Sequence, residues 1–243
     1  MNGEGAAVRA LYYATAAGDG LAVTASQWLG RDPETGQARA LRPCRALPMD
    51  RLVEITAEPR LYGFHGTLKA PDRAAPTAPP SAICSTRSAG FAAGRRAPSR
   101  CRALRTRLSC RASCALVPAA RRAELQDLAD RCVVEFDEFR QPADEAELAR
   151  RRAAGLSPRQ DELLVRWGYP YVLEQWRFHL TLTGRLARRR RTVGDCGDCC
   201  ASAFARLHRP AVGGAAISAS SVSPRRAGPS SCWRASGSAA DGG

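Results

Sequence analysis

The sequence predicts an α+β fold, and three observations carry that prediction. The pentapeptide Phe64-His65-Gly66-Thr67-Leu68 returns as Phe178-His179-Leu180-Thr181-Leu182, and both copies alternate as strands do. Residues 120–139 place Leu125, Leu128, Ala129, Cys132, Val133 and Phe136 on one stripe at spacings of three and four, the pattern of a helix with one buried face. Ser157-Pro158-Arg159-Gln160 opens another helix: Ser caps it, Pro takes the first position, and Gln closes a capping box.

The remaining elements follow in order. Residues 7–14, rich in β-formers, read as a first strand, and Gly18 to Gly20 turn the chain. Residues 22–29 form a short helix ending at Gly30, and residues 31–47 a loop with Asp32-Pro33 and Thr35-Gly36 as turn signals. Asp50 caps a helix through Leu52, Val53 and Thr56 that Pro59 should stop. The first motif strand spans residues 62–69 and ends at Pro71. Residues 115–118 form a strand before the amphipathic helix, and residues 144–154 a charged helix after it. The helix that starts at Ser157 buries Leu163, Leu164 and Trp167 and ends at Gly168, and residues 177–184 form the second motif strand.

Two stretches fit no element. Residues 73–114 mix Arg, Ala, Ser, Pro and Cys with a period of neither 2 nor 3.6, and residues 188–243 do the same with Arg, Ser, Gly and Cys. A disordered segment explains this composition, and so does a shifted reading frame in a GC-rich gene. Lys69, the single lysine of the chain, points to the same gene bias. The expected organisation is therefore one domain over residues 1–187 and a tail over residues 188–243.

Charge divides along the same lines. The net charge is +14, but residues 73–115 hold nine Arg and no acid, and residues 185–243 hold ten Arg and three Asp. Those segments sum to +9 and +7, which leaves −2 for the rest, so the part bearing the motifs is nearly neutral. An Arg-rich, non-catalytic nucleic-acid-binding protein is the reading that the total charge alone would favour. No apolar run is long enough to span a membrane, and residues 1–9 lack a basic region followed by an apolar block, so a cytoplasmic protein without a membrane partner is expected. That setting argues against a disulfide framework among the ten cysteines. Cys196-x-x-Cys199 with Cys110-x-x-x-Cys114 has the form of a zinc site but lies in unpatterned sequence, and no metal site is assigned.

The repeated motif carries the chemistry. On each strand the apolar residues face one way, and the histidine and threonine face the other. His65 and His179 are two of the three histidines of the chain; the third, His208, has no comparable surroundings and reads as solvated. Imidazole titrates near neutrality, so a pair can supply the base and the acid that phosphodiester cleavage through a cyclic phosphate needs. Thr67 and Thr181 stand where their hydroxyls can donate to the non-bridging oxygens. Lys69 and Arg177 continue the same faces and are expected to add phosphate-binding charge. This arrangement requires no metal and no other cofactor.

At residues 62–69 and 177–184 the chain resembles the two-histidine phosphoesterase superfamily, whose members include RNA cyclic phosphodiesterases and RNA 2′,3′-ligase-like proteins. It is most similar to an uncharacterised branch whose genes accompany phosphonate-utilisation operons, on Leu11-Tyr12-Tyr13, Trp28-Leu29-Gly30-Arg31-Asp32, residues 147–152 and Trp167-Gly168-Tyr169-Pro170-Tyr171. The resemblance covers residues 7–72 and 115–187. It implies a bilobal fold of two small antiparallel sheets with outer helices around a central cleft. It also implies catalytic roles for His65 and His179 and phosphate binding by Thr67 and Thr181. The expected substrate is a small phosphodiester or nucleotide-like molecule, in phosphonate metabolism. An RNA 2′,3′-cyclic phosphodiesterase is the alternative, with Tyr62, Tyr169, Tyr171 and Trp176 available to stack on bases.

Overall fold

The computed structural model describes residues 8–15, 18–32, 35–44, 47–75, 104–108, 113–186, 190–204 and 216–222. In chain order these form β1 (Val8–Ala14), α1 (Gly20–Leu29), α2 (Met49–Tyr62), β2 (Gly66–Arg73), β3 (Leu104–Leu108), β4 (Cys114–Pro118), α3 (Ala123–Glu135), α4 (Glu145–Arg152), α5 (Pro158–Trp167), β5 (Leu180–Thr181), α6 (Arg190–Phe204) and β6 (Ala216–Val222). Single 3₁₀ turns follow α3 at Asp137–Phe139 and precede β5 at Leu173–Gln175. The strands make two three-stranded antiparallel sheets, β2-β1-β6 and β3-β4-β5. The fold is α+β with two small sheets, and each motif lies at the edge of a different one.

Local chemistry explains most boundaries. The Asp19 carboxylate accepts from Leu21 N at 2.7 Å to start α1, and Gly30, at φ 73°, closes it. The Asp144 carboxylate accepts from Glu147 N at 2.8 Å at the start of α4. Ser157 and Gln160 form the expected capping box of α5, with Pro158 first in the helix and Gly168 after it. The expected stripe of α3 is buried at Leu125, Leu128, Ala129, Cys132 and Val133, although the helix itself is shorter than residues 120–139.

Helix α2 runs past Pro59 instead of stopping there. Proline has no N–H to give to the carbonyl four residues back. Here that carbonyl, on Ile55, accepts instead from Gly184 N at 2.8 Å. A distant segment thus satisfies the backbone group that the helix leaves open. Pro71 likewise does not end β2, because β2 is an edge strand and tolerates a missing donor.

The expectation of structureless segments at residues 73–114 and 188–243 is corrected in part. Strand β3 pairs with β4 from Leu104↔Pro118 to Leu108↔Cys114, and β6 pairs with β1 over seven positions. In α6, Cys196, Cys199, Cys200 and Phe204 are buried in the core. Their spacing of three, four and eight is an amphipathic stripe in which cysteine takes the place of leucine, and cysteine buries as readily. Cys44 and Cys199 are joined by a disulfide, against the expectation drawn from compartment. The rest of those two segments, with His208, lies outside the described residues. No helix of the described residues is long and apolar enough to cross a membrane.

One contiguous core joins the elements. It includes Leu11 and Tyr13 of β1, Trp28 of α1, Leu125, Leu128, Ala129 and Cys132 of α3, the α6 cysteines, and Phe64, Leu68, Phe178, Leu180 and Leu182 of the two motifs. A second cluster of Val133, Leu163 and Val172 seats α5.

Candidate functional site

Both motifs alternate as their sequence requires. Phe64, Gly66 and Leu68 are buried while His65 and Thr67 are half-buried; Phe178, Leu180 and Leu182 are buried while His179 and Thr181 are half-buried. The first motif leaves α2 through Gly63, whose φ of 76° turns the chain from helix into strand. The second is a two-residue strand, extended by Leu182 N donating to the Cys114 carbonyl at 2.9 Å and by the Thr183 hydroxyl accepting from Cys114 N at 2.9 Å.

The fold brings the two motifs together although 114 positions separate His65 from His179 in sequence (179 − 65). A Cβ on Gly66 would lie 2.8 Å from Cε2 of Phe178, so the absence of a side chain there permits the strands to close on each other. Trp176 Nε1 donates to the Thr67 carbonyl at 2.9 Å, and Tyr13 packs edge-on against Phe178 at 5.1 Å between centroids. Trp28 Nε1 donates to the Leu182 carbonyl at 2.9 Å, and Gly184 N to that of Ile55 at 2.8 Å. The second motif is therefore held by groups from the first motif, α1 and α2.

Each imidazole is oriented by its own backbone. His179 Nδ1–H donates to the Arg177 carbonyl at 2.9 Å, which leaves Nε2 with its lone pair. The His65 ring hydrogen-bonds to the backbone of Tyr62 and Gly63. Burial pushes the pKa of His65 down to about 4, and the nearby His179 adds to that effect. Burial lowers the pKa of His179 as well, opposed by its bond to Arg177. His179 thus acts on His65, and burial favours the neutral form of both imidazoles.

Two tyrosines wall the first histidine. The Tyr12 ring lies 4.0 Å from His65 and the Tyr62 ring 5.5 Å from it, centroid to centroid. Burial raises the pKa of Tyr12 to about 12 and that of Tyr62 further still, so both stay protonated. The Tyr62 hydroxyl shares a hydrogen bond with Thr181, so one residue touches a histidine of the first motif and the threonine of the second. Tyr12 entered the sequence reading only among the residues that carry the resemblance and not as a site residue; the signal for it is its place between buried Leu11 and Tyr13 on a strand.

Lys69 departs from its expected place. Tyr12 pairs with Thr67 but Leu11 pairs with Lys69, so two steps along β2 match one along β1. An irregularity of this kind turns later side chains to the other face. Lys69 sits opposite core residue Leu11, is buried, and is ion-paired with Asp72 at 2.8 Å. Its charge is committed to that ion pair, which departs from the expectation that Lys69 adds phosphate-binding charge. Arg177 is half-buried like His179 and Thr181, and its Nη1 donates to the carbonyls of Glu174 at 2.6 Å and Trp176 at 2.7 Å. Among the described residues, no group of three or more His, Cys, Asp or Glu side chains is placed to hold a metal ion, and Cys110 of the zinc-like spacing lies outside them.

The sequence matches a family described as protein of unknown function (DUF1045) over residues 67–218, more than half of the chain. The chain belongs to the DUF1045 family. It is 39% identical over 181 residues to a protein of Janthinobacterium sp. (strain Marseille) named ribose 1,5-bisphosphate phosphokinase PhnN, covering 73% of this chain and 38% of that protein. It is 34% identical over 168 residues to a protein of the same name from Laribacter hongkongensis (strain HLHK9), covering 66% of this chain and 36% of that one. The chain thus spans well under half the length of these curated relatives. No solved structure matches it.

Proposed function

We propose that this DUF1045 chain is a two-histidine phosphoesterase that opens a cyclic phosphodiester by acid–base catalysis, within phosphonate metabolism. The observation that carries the reading is the packing of the two motifs on each other beside edge strands of two different sheets: Gly66 closes on Phe178, Trp176 Nε1 donates to the Thr67 carbonyl, and Tyr62 touches both His65 and Thr181. One imidazole takes a proton from water as its oxygen attacks phosphorus. The other, protonated, gives its proton to the departing sugar oxygen as the P–O bond breaks. Thr67 and Thr181 donate to the non-bridging oxygens, and Tyr62 holds Thr181 in place.

The names of the two relatives support a phosphorylated ribose as substrate and a phosphonate setting. The single lysine of this chain, Lys69, is followed by Ala70, so the sequence has no GxxxxGK[ST] phosphate loop. On this reading the kinase named in the relatives belongs to the length that the chain does not cover. A phosphoesterase joined to such a kinase would supply its substrate. A phosphate bridging O1 and O2 of ribose 5-phosphate, opened by water at the P–O2 bond, gives ribose 1,5-bisphosphate.

The RNA alternative draws less support. Trp176 is buried with its N–H bound to Thr67, the Tyr62 hydroxyl is bound to Thr181, and Tyr169 packs against Tyr171 and under Arg151. Those rings are occupied within the protein rather than offered as a stacking platform. The test is hydrolysis of ribose 5-phosphate 1,2-cyclic phosphate beside an oligonucleotide ending in a 2′,3′-cyclic phosphate. His65→Ala and His179→Ala should each lower turnover by at least about 10²-fold. Full activity in either variant, with its fold intact by circular dichroism, would refute the two-histidine mechanism.

A further inference from the structure

We infer that Arg177 is a positioning residue for His179: its side chain locks the turn that delivers the second motif, and its carbonyl then holds the imidazole with the proton on Nδ1. The effect on turnover rests on the phosphoesterase reading; the effect on the imidazole does not. Arg177 Nη1 donates to the carbonyls of Glu174 at 2.6 Å and Trp176 at 2.7 Å. That nitrogen carries two hydrogens, one for each carbonyl. The side chain thus folds back over its own backbone. In the other direction along the chain, the Arg177 carbonyl takes the Nδ1–H of His179 at 2.9 Å. A carbonyl oxygen can only accept, so this contact places the proton on Nδ1 and leaves the lone pair of the neutral ring on Nε2.

Peptide geometry couples the two contacts. The Trp176 carbonyl lies in the peptide plane that also contains Arg177 N, and only φ and ψ of Arg177 separate that plane from the carbonyl that meets the imidazole. Tying the side chain to the Trp176 carbonyl closes a ring through the Arg177 Cα, which restricts the first of those two angles. The turn needs such restraint. Leu173 opens it at φ 49°, a left-handed conformation that residues with a side chain seldom adopt. A residue held there relaxes unless its surroundings over-determine it. Here Gln126 Nε2 donates to the Leu173 carbonyl at 2.8 Å and Trp176 N to the same carbonyl at 2.9 Å, while Arg177 takes those of Glu174 and Trp176.

The guanidinium is placed on carbonyls and not on an acid. Among the described residues no carboxylate pairs with Arg177, and the side chain of neighbouring Glu174 accepts instead from Arg159 Nε at 2.5 Å. A charged donor holds a carbonyl more strongly than a neutral one does. A group that fixes the tautomer of a catalytic imidazole supports turnover without touching substrate, as the buried carboxylate does in hydrolytic triads. The competing role for Arg177 is direct contact with the phosphate, and the two roles predict different results.

The experiment uses the full chain, isotope-labelled at the histidine ring nitrogens, which leaves only His65, His179 and His208 to tell apart. Long-range proton–nitrogen correlation spectra at about pH 8, where the imidazoles are neutral, read the tautomer of each. Wild type should show His179 with its proton on Nδ1, in a signal that His179→Gln removes and so assigns. Arg177→Met keeps the aliphatic stem and loses the donors; it should give His179 as a mixture of both tautomers. For a cyclic diester its kcat should be at least about ten-fold lower at a KM within about two-fold of wild type. Arg177→Lys, which keeps a charged donor without the planar fork, should recover part of both effects. His65 should keep its wild-type spectrum in both variants, which a general loosening of the fold would alter. A wild-type His179 with its proton on Nε2, or a His179 that stays wholly Nδ1-protonated in Arg177→Met, would overturn the proposal. So would a raised KM with kcat and tautomer unchanged, which would make Arg177 a phosphate ligand. Should Arg177→Met fail to fold by circular dichroism, Arg177→Lys carries the same comparison. If wild type hydrolyses no cyclic diester, the phosphoesterase reading falls and the tautomers still decide the role of Arg177.

Discussion

Trp176 and Thr67 are joined by a hydrogen bond of 2.9 Å from the indole N–H to the backbone carbonyl, across 109 residues of sequence. This contact ties the residue three before His179 to the residue two after His65. Trp176→Phe keeps most of the buried ring and removes the donor, so the Thr67 carbonyl loses its partner. The expected loss of stability is about 1–3 kcal/mol, the usual cost of leaving a buried polar group unsatisfied. Turnover should fall with it, because the spacing of the two motifs loosens. Urea unfolding checks the first effect and hydrolysis of a cyclic diester the second; a variant unchanged in both would show that this contact does not hold the motifs together.

The titration of the histidines makes stability depend on pH in a definite direction. The unfolded chain protonates His65 near its ordinary value of 6.5, whereas in the fold its pKa is about 4. Between those values the unfolded chain holds a proton that the folded chain does not. The contribution of His65 to stability is therefore present above pH 6.5 and is lost as pH falls through the window toward 4. His179, also lowered, adds in the same sense. Denaturation midpoints should drop across this range in wild type and drop less in His65→Gln. An equal drop in both would mean that His65 is not desolvated as described.

A bound phosphodiester should reverse part of that shift. It carries one negative charge throughout this pH range and favours the imidazolium beside it. Binding of dimethyl phosphate at about pH 5.5 is expected to take up close to one proton. Calorimetry in buffers of different ionisation enthalpy measures that number directly. Uptake that persists in the His65→Ala/His179→Ala variant would place the proton on some other group.

How far this site is legible in sequence depends on the distance over which each residue is determined. The alternation of Phe, His, Thr and Leu within each motif is local, and it survives into the fold at every position from Phe64 to Leu68 and from Phe178 to Leu182. The same alternation misplaces Lys69, because a register irregularity against β1 depends on a partner strand that the motif does not contain. Tyr12, named in sequence only among the residues that carry the resemblance, comes to the site through the pairing of β1 with β2, and its place there was invisible for the same reason. Helix α2 ran on past Pro59 because a donor 129 positions further on (184 − 55) satisfies Ile55. Helix α6 was missed for a different reason: its stripe is written in cysteine, a residue read first for reactivity and only second for its apolar bulk.

The Ile55–Gly184 contact predicts its own sensitivity. A Cβ at Gly184 would lie 3.0 Å from Glu58 Oε2, 3.3 Å from Glu58 Cβ and 3.6 Å from the Ile55 carbonyl oxygen. Alanine there can be met by a shift of the flexible Glu58 side chain. Valine cannot, and Gly184→Val should push the segment off α2 and break the bond to Ile55, at a cost of about 1–3 kcal/mol. Unfolding curves of the two variants separate the cases. Equal stability would show that the segment after the second motif is not docked on the helix.

The last prediction concerns the anchoring of α6. The Cys44–Cys199 bond ties the loop before α2 to that helix, with Cys196 and Cys200 buried beside it and Cys114 hydrogen-bonded to Cys200. Helix α6 packs on β3, β4 and α1, and Phe204 reaches Trp28 at 5.9 Å between centroids. Trp28 in turn holds the Leu182 carbonyl of the second motif. Cutting the bond removes a constraint on a long loop of the unfolded chain, worth about 2–4 kcal/mol. Cys44→Ser should therefore lower the melting temperature under oxidising conditions, and reductant should lower that of wild type but not of the variant. Peptide mapping without reductant should recover residues 44 and 199 in one linked fragment. If reductant leaves wild type unchanged, the packing of the cysteine stripe alone holds α6, and Phe204→Ala should then be the more damaging change, at about 3–5 kcal/mol.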